Sequence, residues 1–267
     1  MSPGAAMRYI RWYITEVRTV NEPVVAMLAS GMAVAAFLYA SVGHGGASAY
    51  LAAMALAGVA PHEMRPVALL LNILVSALAT WKFQRAGHFQ WRLFWPFATV
   101  SIPLAYVGGA ITLPGQAYKA LVGAVLVYAA WQLWQSGRAG QEMRPVREPP
   151  VAWAMAIGAA MGLLSGLTGV GGGIFLSPLL LMLGWAGTKQ TSAVAAPFIL
   201  VNSIAGLAAI RIAGTAALPE HVWILGGAVI IGGWLGAEFG SRRFANPVVR
   251  RMLAVVLALA GSKMVLV

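Results

Sequence analysis

The sequence predicts an all-α integral membrane protein of two inverted-topology repeats, each of about five helical segments, with short or broken helices at two glycine motifs. Three observations predict it: an apolar composition, ten apolar runs in two series of five, and a glycine-rich element that occurs once in each series. Of the 267 residues, 60% are hydrophobic and 9% charged, against roughly 25% charged in an ordinary soluble domain. The mean hydropathy is +0.79. At about 30 residues per helix and connection there is room for about ten membrane segments, and no hydrophilic stretch is long enough for a separate soluble domain.

The first element, 1–23, carries Arg8, Arg11 and Arg18 among Tyr9, Trp12 and Tyr13. The arginine spacing sets all three on one helical face, as in an interfacial amphipathic helix. A cleaved signal peptide fits less well, because the apolar run from Val24 is longer than an h-region and no small-residue cleavage site follows. The first membrane repeat, 24–136, contains runs near 24–42, 45–58, 63–83, 92–112 and 117–136. Residues 137–150, with Arg138, Arg144, Arg147, Glu148, Pro149 and Pro150, read as an inter-repeat loop. The second membrane repeat, 151–267, contains runs near 151–168, 172–184, 189–210, 220–240 and 248–266. Tryptophans such as Trp91, Trp153 and Trp223 fall close to segment ends, where amphipathic rings sit.

The repeats match residue by residue in places: Gly43, Gly45 and Gly46 on Gly169, Gly171 and Gly172, Ala86-Gly87 on Ala213-Gly214, Gly109-Ala110 on Gly236-Ala237, and, after a small gap, Asn72 on Asn202. The segment after each glycine element has about 14 residues, roughly 21 Å of helix against a hydrocarbon core of roughly 30 Å. Whether it re-enters or spans, a half makes an odd number of crossings, so the second half begins on the opposite side and the repeats are inverted. On this scheme eleven of the 18 lysines and arginines lie on one face and seven on the other. That places the inter-repeat loop in the cytoplasm and both termini outside.

The formal charge is +11. The cations sit in short loops between apolar runs and form no nucleic-acid platform, so their partner is the headgroup region of the lipid bilayer. No cysteine is present, which excludes disulfides, thiolate metal sites and cysteine nucleophiles; no cofactor is called for. Arg65 and Arg211, near segment ends, are expected to snorkel to the headgroups, and Glu238 to pair with Arg242 one turn on.

The chemistry concentrates in Ser41-Val42-Gly43-His44-Gly45-Gly46-Ala47 and Leu167-Thr168-Gly169-Val170-Gly171-Gly172-Gly173. Neither is a dinucleotide fingerprint, which needs a glycine where Ser48 and Ile174 stand, and neither has the lysine of a P-loop. What remains is a helix that ends, a stretch of free backbone and a helix that begins. Exposed backbone costs several kcal/mol per group in hydrocarbon, so such a break persists only where it lines a protein-enclosed cavity. Glycine lets a ligand approach closely, and the N–H groups that open the next helix suit an anion. The alternative, close helix packing alone, describes the four-residue spacings Gly162/Gly166 and Gly232/Gly236/Gly240, but consecutive glycines are wasteful for an interface. Those stripes serve internal and intermolecular contacts equally, so a homo-oligomer is left open.

The expected substrate-binding residues are Ser41, Gly43, His44, Gly45, Gly46, Ala47, Ser48 and Asn72 from the first repeat, with Thr168, Gly169, Gly171, Gly172, Gly173 and Asn202 from the second. His44 offers an anion contact or a protonatable group, or else a hydrogen-bonded structural histidine. The three hydroxyls offer donors or helix caps, and the two amides line the cavity or tie helices together.

The paired elements, and above all the run from Gly166 to Leu180 that reads Gly-Leu-Thr-Gly-Val-Gly-Gly-Gly-Ile-Phe-Leu-Ser-Pro-Leu-Leu, resemble the sulfite exporter TauE/SafE family from about Val24 to Val267. The first copy departs from the family pattern at His44 and Ala47. The resemblance implies a multi-pass permease of the bacterial inner membrane that carries small sulfur-containing or organic anions, such as sulfite, sulfoacetate, related sulfonates, thiosulfate or sulfide, and no enzyme activity. Two rivals remain at this level. An anion channel could use the same breaks as a filter. An intramembrane protease would use Gly46-Ala47-Ser48-Ala49, one residue from the rhomboid GxSG pattern, but needs a histidine on another membrane helix, and His62, His88 and His221 lie near loops.

Overall fold

The computed structural model describes residues 22–136, 147–214, 218–242 and 247–266. Among these, the backbone forms ten helices: α1 (Glu22–Ala40), α2 (Ala47–Leu56), α3 (Pro61–Arg85), α4 (Trp91–Ala110), α5 (Gly115–Ser136), α6 (Val151–Thr168), α7 (Gly173–Met182), α8 (Thr188–Ile212), α9 (Val222–Arg242) and α10 (Pro247–Leu266). Each helix end lies within two residues of the corresponding apolar run. The interfacial helix expected over 1–23 falls outside the described residues except for Glu22 and Pro23, which begin α1; most of the 137–150 loop lies outside them too.

Among the described residues, six helices, α1, α3, α4, α6, α8 and α9, are long and apolar enough to cross a membrane. In contrast, α2 and α7 have 10 residues each, about 15 Å of helix, half the thickness of a hydrocarbon core. The longest pair, α3 and α8, has 25 residues each and the most buried spans. Pro61 opens α3 at a position where its missing N–H costs nothing. Both helices end in the same turn, Ala86-Gly87 and Ala213-Gly214, with Gly87 at φ 75° and Gly214 at φ 70°.

Packing directions follow from the glycine contacts. A Cβ on Gly158, Gly162 or Gly166 of α6 would strike the backbone of Phe97, Ser101 or Ala105 of α4. Both numberings rise together by four, so the helices run parallel, with backbones in contact along the stripe. Likewise Gly232, Gly236 and Gly240 of α9 face the backbone of Ala33 and Phe37 of α1 and of Ser41 just past its end. At the centre the sense reverses: Leu69 of α3 meets Gly206 of α8, and Asn72 meets Ser203, so α3 and α8 are antiparallel. Glu238 of α9 bonds Lys82 of α3, whose ammonium lies 4.2 Å from the Trp234 ring centroid. The expected link to Arg242 involves a side chain outside those described.

Candidate functional site

Both glycine elements are breaks between helices, and both are closed by local backbone geometry. The first helix, α1, ends in a Schellman motif: His44 N–H donates to Tyr39 O at 2.8 Å and Gly43 N–H to Ala40 O at 3.1 Å, with Gly43 at φ 75°, where a side chain would be strained. At the other break Gly169 takes φ 84° and donates to Ser165 O at 2.9 Å. Gly46 and Gly172, at φ 96° and 79°, are the N-caps of α2 and α7. Glycine is thus required on both sides of each break.

The breaks are buried and converge on one amide. Asn72, fully buried in α3, accepts the Ala47 N–H at Oδ1 (3.1 Å) and donates from Nδ2 to Val170 O (3.1 Å). One side chain therefore bonds the first turn of α2 and the second break together. Around it, a Cβ on Gly171 would lie 2.5 Å from Asn72 Nδ2 and 2.8 Å from Ile199 Cγ2, and one on Gly45 would lie 2.8 Å from Asn72 Cγ and 3.2 Å from Ile199 Cγ2. Gly173 faces Ile199 as well. Asn72 and Ile199 each stand 11 residues past the start of a 25-residue helix, so the meeting point lies near the middle of both long helices.

This corrects the repeat alignment. The partner of Asn72 in the second half is Ile199, not Asn202. Asn202 lies one turn on, donates to Phe198 O within its own helix at 2.9 Å, and keeps Oδ1 buried without a partner. Matching two asparagines by type concealed an asymmetry, a polar residue on one central helix and an alkyl residue on the other.

The other candidates are held by protein groups. Ser41 donates to Leu38 O (2.7 Å), Ser48 to Tyr39 Oη (2.8 Å) and Thr168 to Leu164 O (2.7 Å). His44, half-buried, bonds Val42 O through Nδ1 at 3.0 Å, and its ring meets Tyr39 edge-on. A carbonyl only accepts, so Nδ1 carries the proton. Each break also has a hydrogen bond from the other half: Ser192 Oγ of α8 to Val42 O at 2.9 Å, and Asn72 to Val170 O.

Arg65 departs from the expected headgroup position. It does not reach headgroups; it is 9% exposed and donates to Gly108 O (2.5 Å), Gly109 O (2.6 Å) and Ile111 O (2.9 Å), the last carbonyls of α4. Its Cγ lies 3.3 Å from where a Cβ on Gly169 would be, so its stem packs on the second break. The residue in the same place on α8 is Ser192, against Gly43. The sequence signal was present in that shared fifth position. Tyr50, which donates to Gly45 O at 2.8 Å, and Tyr118, which donates to Thr168 O at 3.2 Å, were also missed. No aspartate or glutamate stands in either element. Two grooves of about 450 and 700 Å³ are lined by apolar side chains and contain no break residue.

A multi-pass, all-helical chain whose two broken helices meet at buried backbone N–H groups is put together as a membrane permease. The sequence profile of the family described as Sulfite exporter TauE/SafE matches residues 27–264, and the chain belongs to that family. It is 39% identical over 244 residues to "Probable membrane transporter protein y4hK" of Sinorhizobium fredii, covering 88% of this chain and 98% of the relative. To "Probable membrane transporter protein ORF9" of a Sinorhizobium species it is 26% identical over 205 residues, 76% of each chain. To "Probable membrane transporter protein YunE" of Bacillus subtilis it is 28% identical over 115 residues, 42% of this chain and 40% of the relative. No solved structure gives a significant match. The protein is a membrane transporter, multi-pass in a bacterial membrane.

Proposed function

We propose that this protein is a secondary transporter that exports a small sulfur-containing or organic anion, such as sulfite or sulfoacetate, by alternating access between two inverted repeats. The observation that carries the reading is the convergence of both helix breaks on Asn72. Two half-helix N-termini meet near the middle of the long helices, where buried N–H dipoles favour an anion and no carboxylate opposes it. The antiparallel crossing of α3 and α8, corresponding members of the two halves, supports the inversion, and helix lengths too short to span support α2 and α7 as re-entrant segments. The reciprocal bonds Ser192 to Val42 O and Asn72 to Val170 O tie each break to the central helix of the other half, so loosening one while keeping the other opens one side at a time. Sulfur chemistry comes from the family, and the site supplies the preference for an anion.

Counterflow in proteoliposomes tests this. Wild-type protein preloaded with unlabelled sulfite accumulates external ³⁵S-sulfite transiently, and folded Gly45→Val and Gly172→Val proteins do not. Uptake without trans-stimulation would show a channel instead, and normal counterflow by both folded variants would remove the breaks from the site.

A further inference from the structure

We propose that the anion binds at the N-terminus of α7, with the Ser165 hydroxyl as a donor, while the N-terminus of α2 is satisfied from within by Asn72. The proposal rests on the transporter reading and makes its site one-sided. At α2 the Ala47 N–H already has the Asn72 carbonyl oxygen at 3.1 Å, which fills the place of a ligand oxygen. At α7 the corresponding residue is Ile199, whose alkyl chain packs on Gly173 and accepts nothing. Among the described residues, no side chain bonds the Gly173 N–H.

Three independent features gather at that uncapped end. Ser165 of α6 is fully buried and its Oγ has no partner; Thr80, Ser177 and Thr191 share that lack, whereas Ser76 and Thr168 fold back on their own helical carbonyls. Its Cβ lies 3.6 Å from where a Cβ on Gly172, the N-cap of α7, would be, so the side chain that carries the unused hydroxyl stands beside the helix end. A buried polar group without a partner calls for an explanation, and an acceptor ligand supplies one. The second feature is the bare helix end itself, with α7 long enough to carry an N-terminal dipole. The third is charge: the stem of Arg65 packs on Gly169, so a guanidinium held by the α4 carbonyls lies beside this break, whereas its counterpart at the first break is the neutral Ser192. A ligand there has acceptor oxygens and negative charge, the chemistry shared by sulfite, sulfonates and carboxylates. Phe198 and Ile199 of α8 cover Gly172 and Gly173, so admission requires α8 to move relative to α7.

Sulfite counterflow kinetics decide the matter. Ser165→Ala raises the KM for ³⁵S-sulfite about tenfold or more, the effect of losing one hydrogen bond to a charged group. Its thermal midpoint without sulfite stays unchanged, since that hydroxyl bonds nothing in the empty protein; Ser165→Thr keeps the hydroxyl and most of the affinity. Tyr39→Phe alters the matching position of the first repeat, four residues before the first glycine of the break, and leaves the KM within about twofold. A Ser165→Ala protein with wild-type KM, or a Tyr39→Phe protein impaired as much as Ser165→Ala, overturns the proposal. Wild-type protein that neither exchanges nor is stabilised by sulfite, sulfoacetate, thiosulfate or acetate overturns the anion-export reading itself.

Discussion

Replacing Arg65 with methionine separates two accounts of a cation near a helix end. If the guanidinium reached the headgroups, an apolar residue of similar length would cost little. Its three hydrogen bonds to Gly108 O, Gly109 O and Ile111 O predict otherwise. Each carbonyl left buried without a donor costs roughly 1–3 kcal/mol, so three cost roughly 3–9 kcal/mol. Against this, removing a buried cation returns a desolvation penalty of several kcal/mol. The carbonyl losses win by a modest margin. The net destabilisation expected for Arg65→Met is therefore about 1–3 kcal/mol. Arg65→Lys keeps the charge but lacks the planar fork that serves three carbonyls, and falls between wild type and Arg65→Met. Reversible unfolding in mixed detergent micelles, followed by tryptophan fluorescence, measures the order. Wild-type stability in Arg65→Met would refute the capping role.

Two further comparisons use paired substitutions. Gly162→Ala drives a methyl onto the Ser101 backbone, with Cα 2.6 Å from the new Cβ, and should cost about 1–3 kcal/mol as α4 and α6 separate. Gly227→Ala, with nothing within 4 Å, should instead gain up to about 1 kcal/mol from helix propensity; the same unfolding assay reads both, and equal effects would sink the packing account. Asn72→Leu strips partners from the Ala47 N–H and the Val170 carbonyl and should cost about 2–4 kcal/mol, whereas Asn202→Leu also removes an unpartnered buried acceptor and should stay within about 1 kcal/mol of wild type. Thermal midpoints in nanodiscs give the ranking, and an Asn202→Leu protein as unstable as Asn72→Leu would show that the two amides do equivalent work after all.

The helices were legible because a bilayer imposes a one-dimensional rule. Apolar runs of set length alternate with polar or glycine-proline punctuation, and that pattern located α1 to α10 to within two residues. The breaks were legible because consecutive glycines serve no helix interface. What the pattern does not carry is direction around a helix. Arg65 is near a segment end whether it points to lipid headgroups or into the protein, and only the position of the α4 carbonyls decides between them. The same limit explains the misaligned amides: residue type suggested Asn72 with Asn202, whereas helix starts and the shared Ala-Gly turns fix Asn72 with Ile199.

That asymmetry bears on mechanism more than the duplication does. Two identical half-sites would hold an anion equally in either orientation of the repeats, and nothing would tie binding to one conformation. On the proposed site, with Asn72 serving α2, a bare α7 beside Ser165, and Arg65 beside only the second break, the affinity for an anion would follow the packing of α8 over Gly172 and Gly173. A ligand shifts a conformational equilibrium only by its differential affinity for the two states. On this proposal Phe198 and Ile199 would provide that difference, because they cover Gly172 and Gly173 in the state described and would have to leave them in a state that binds.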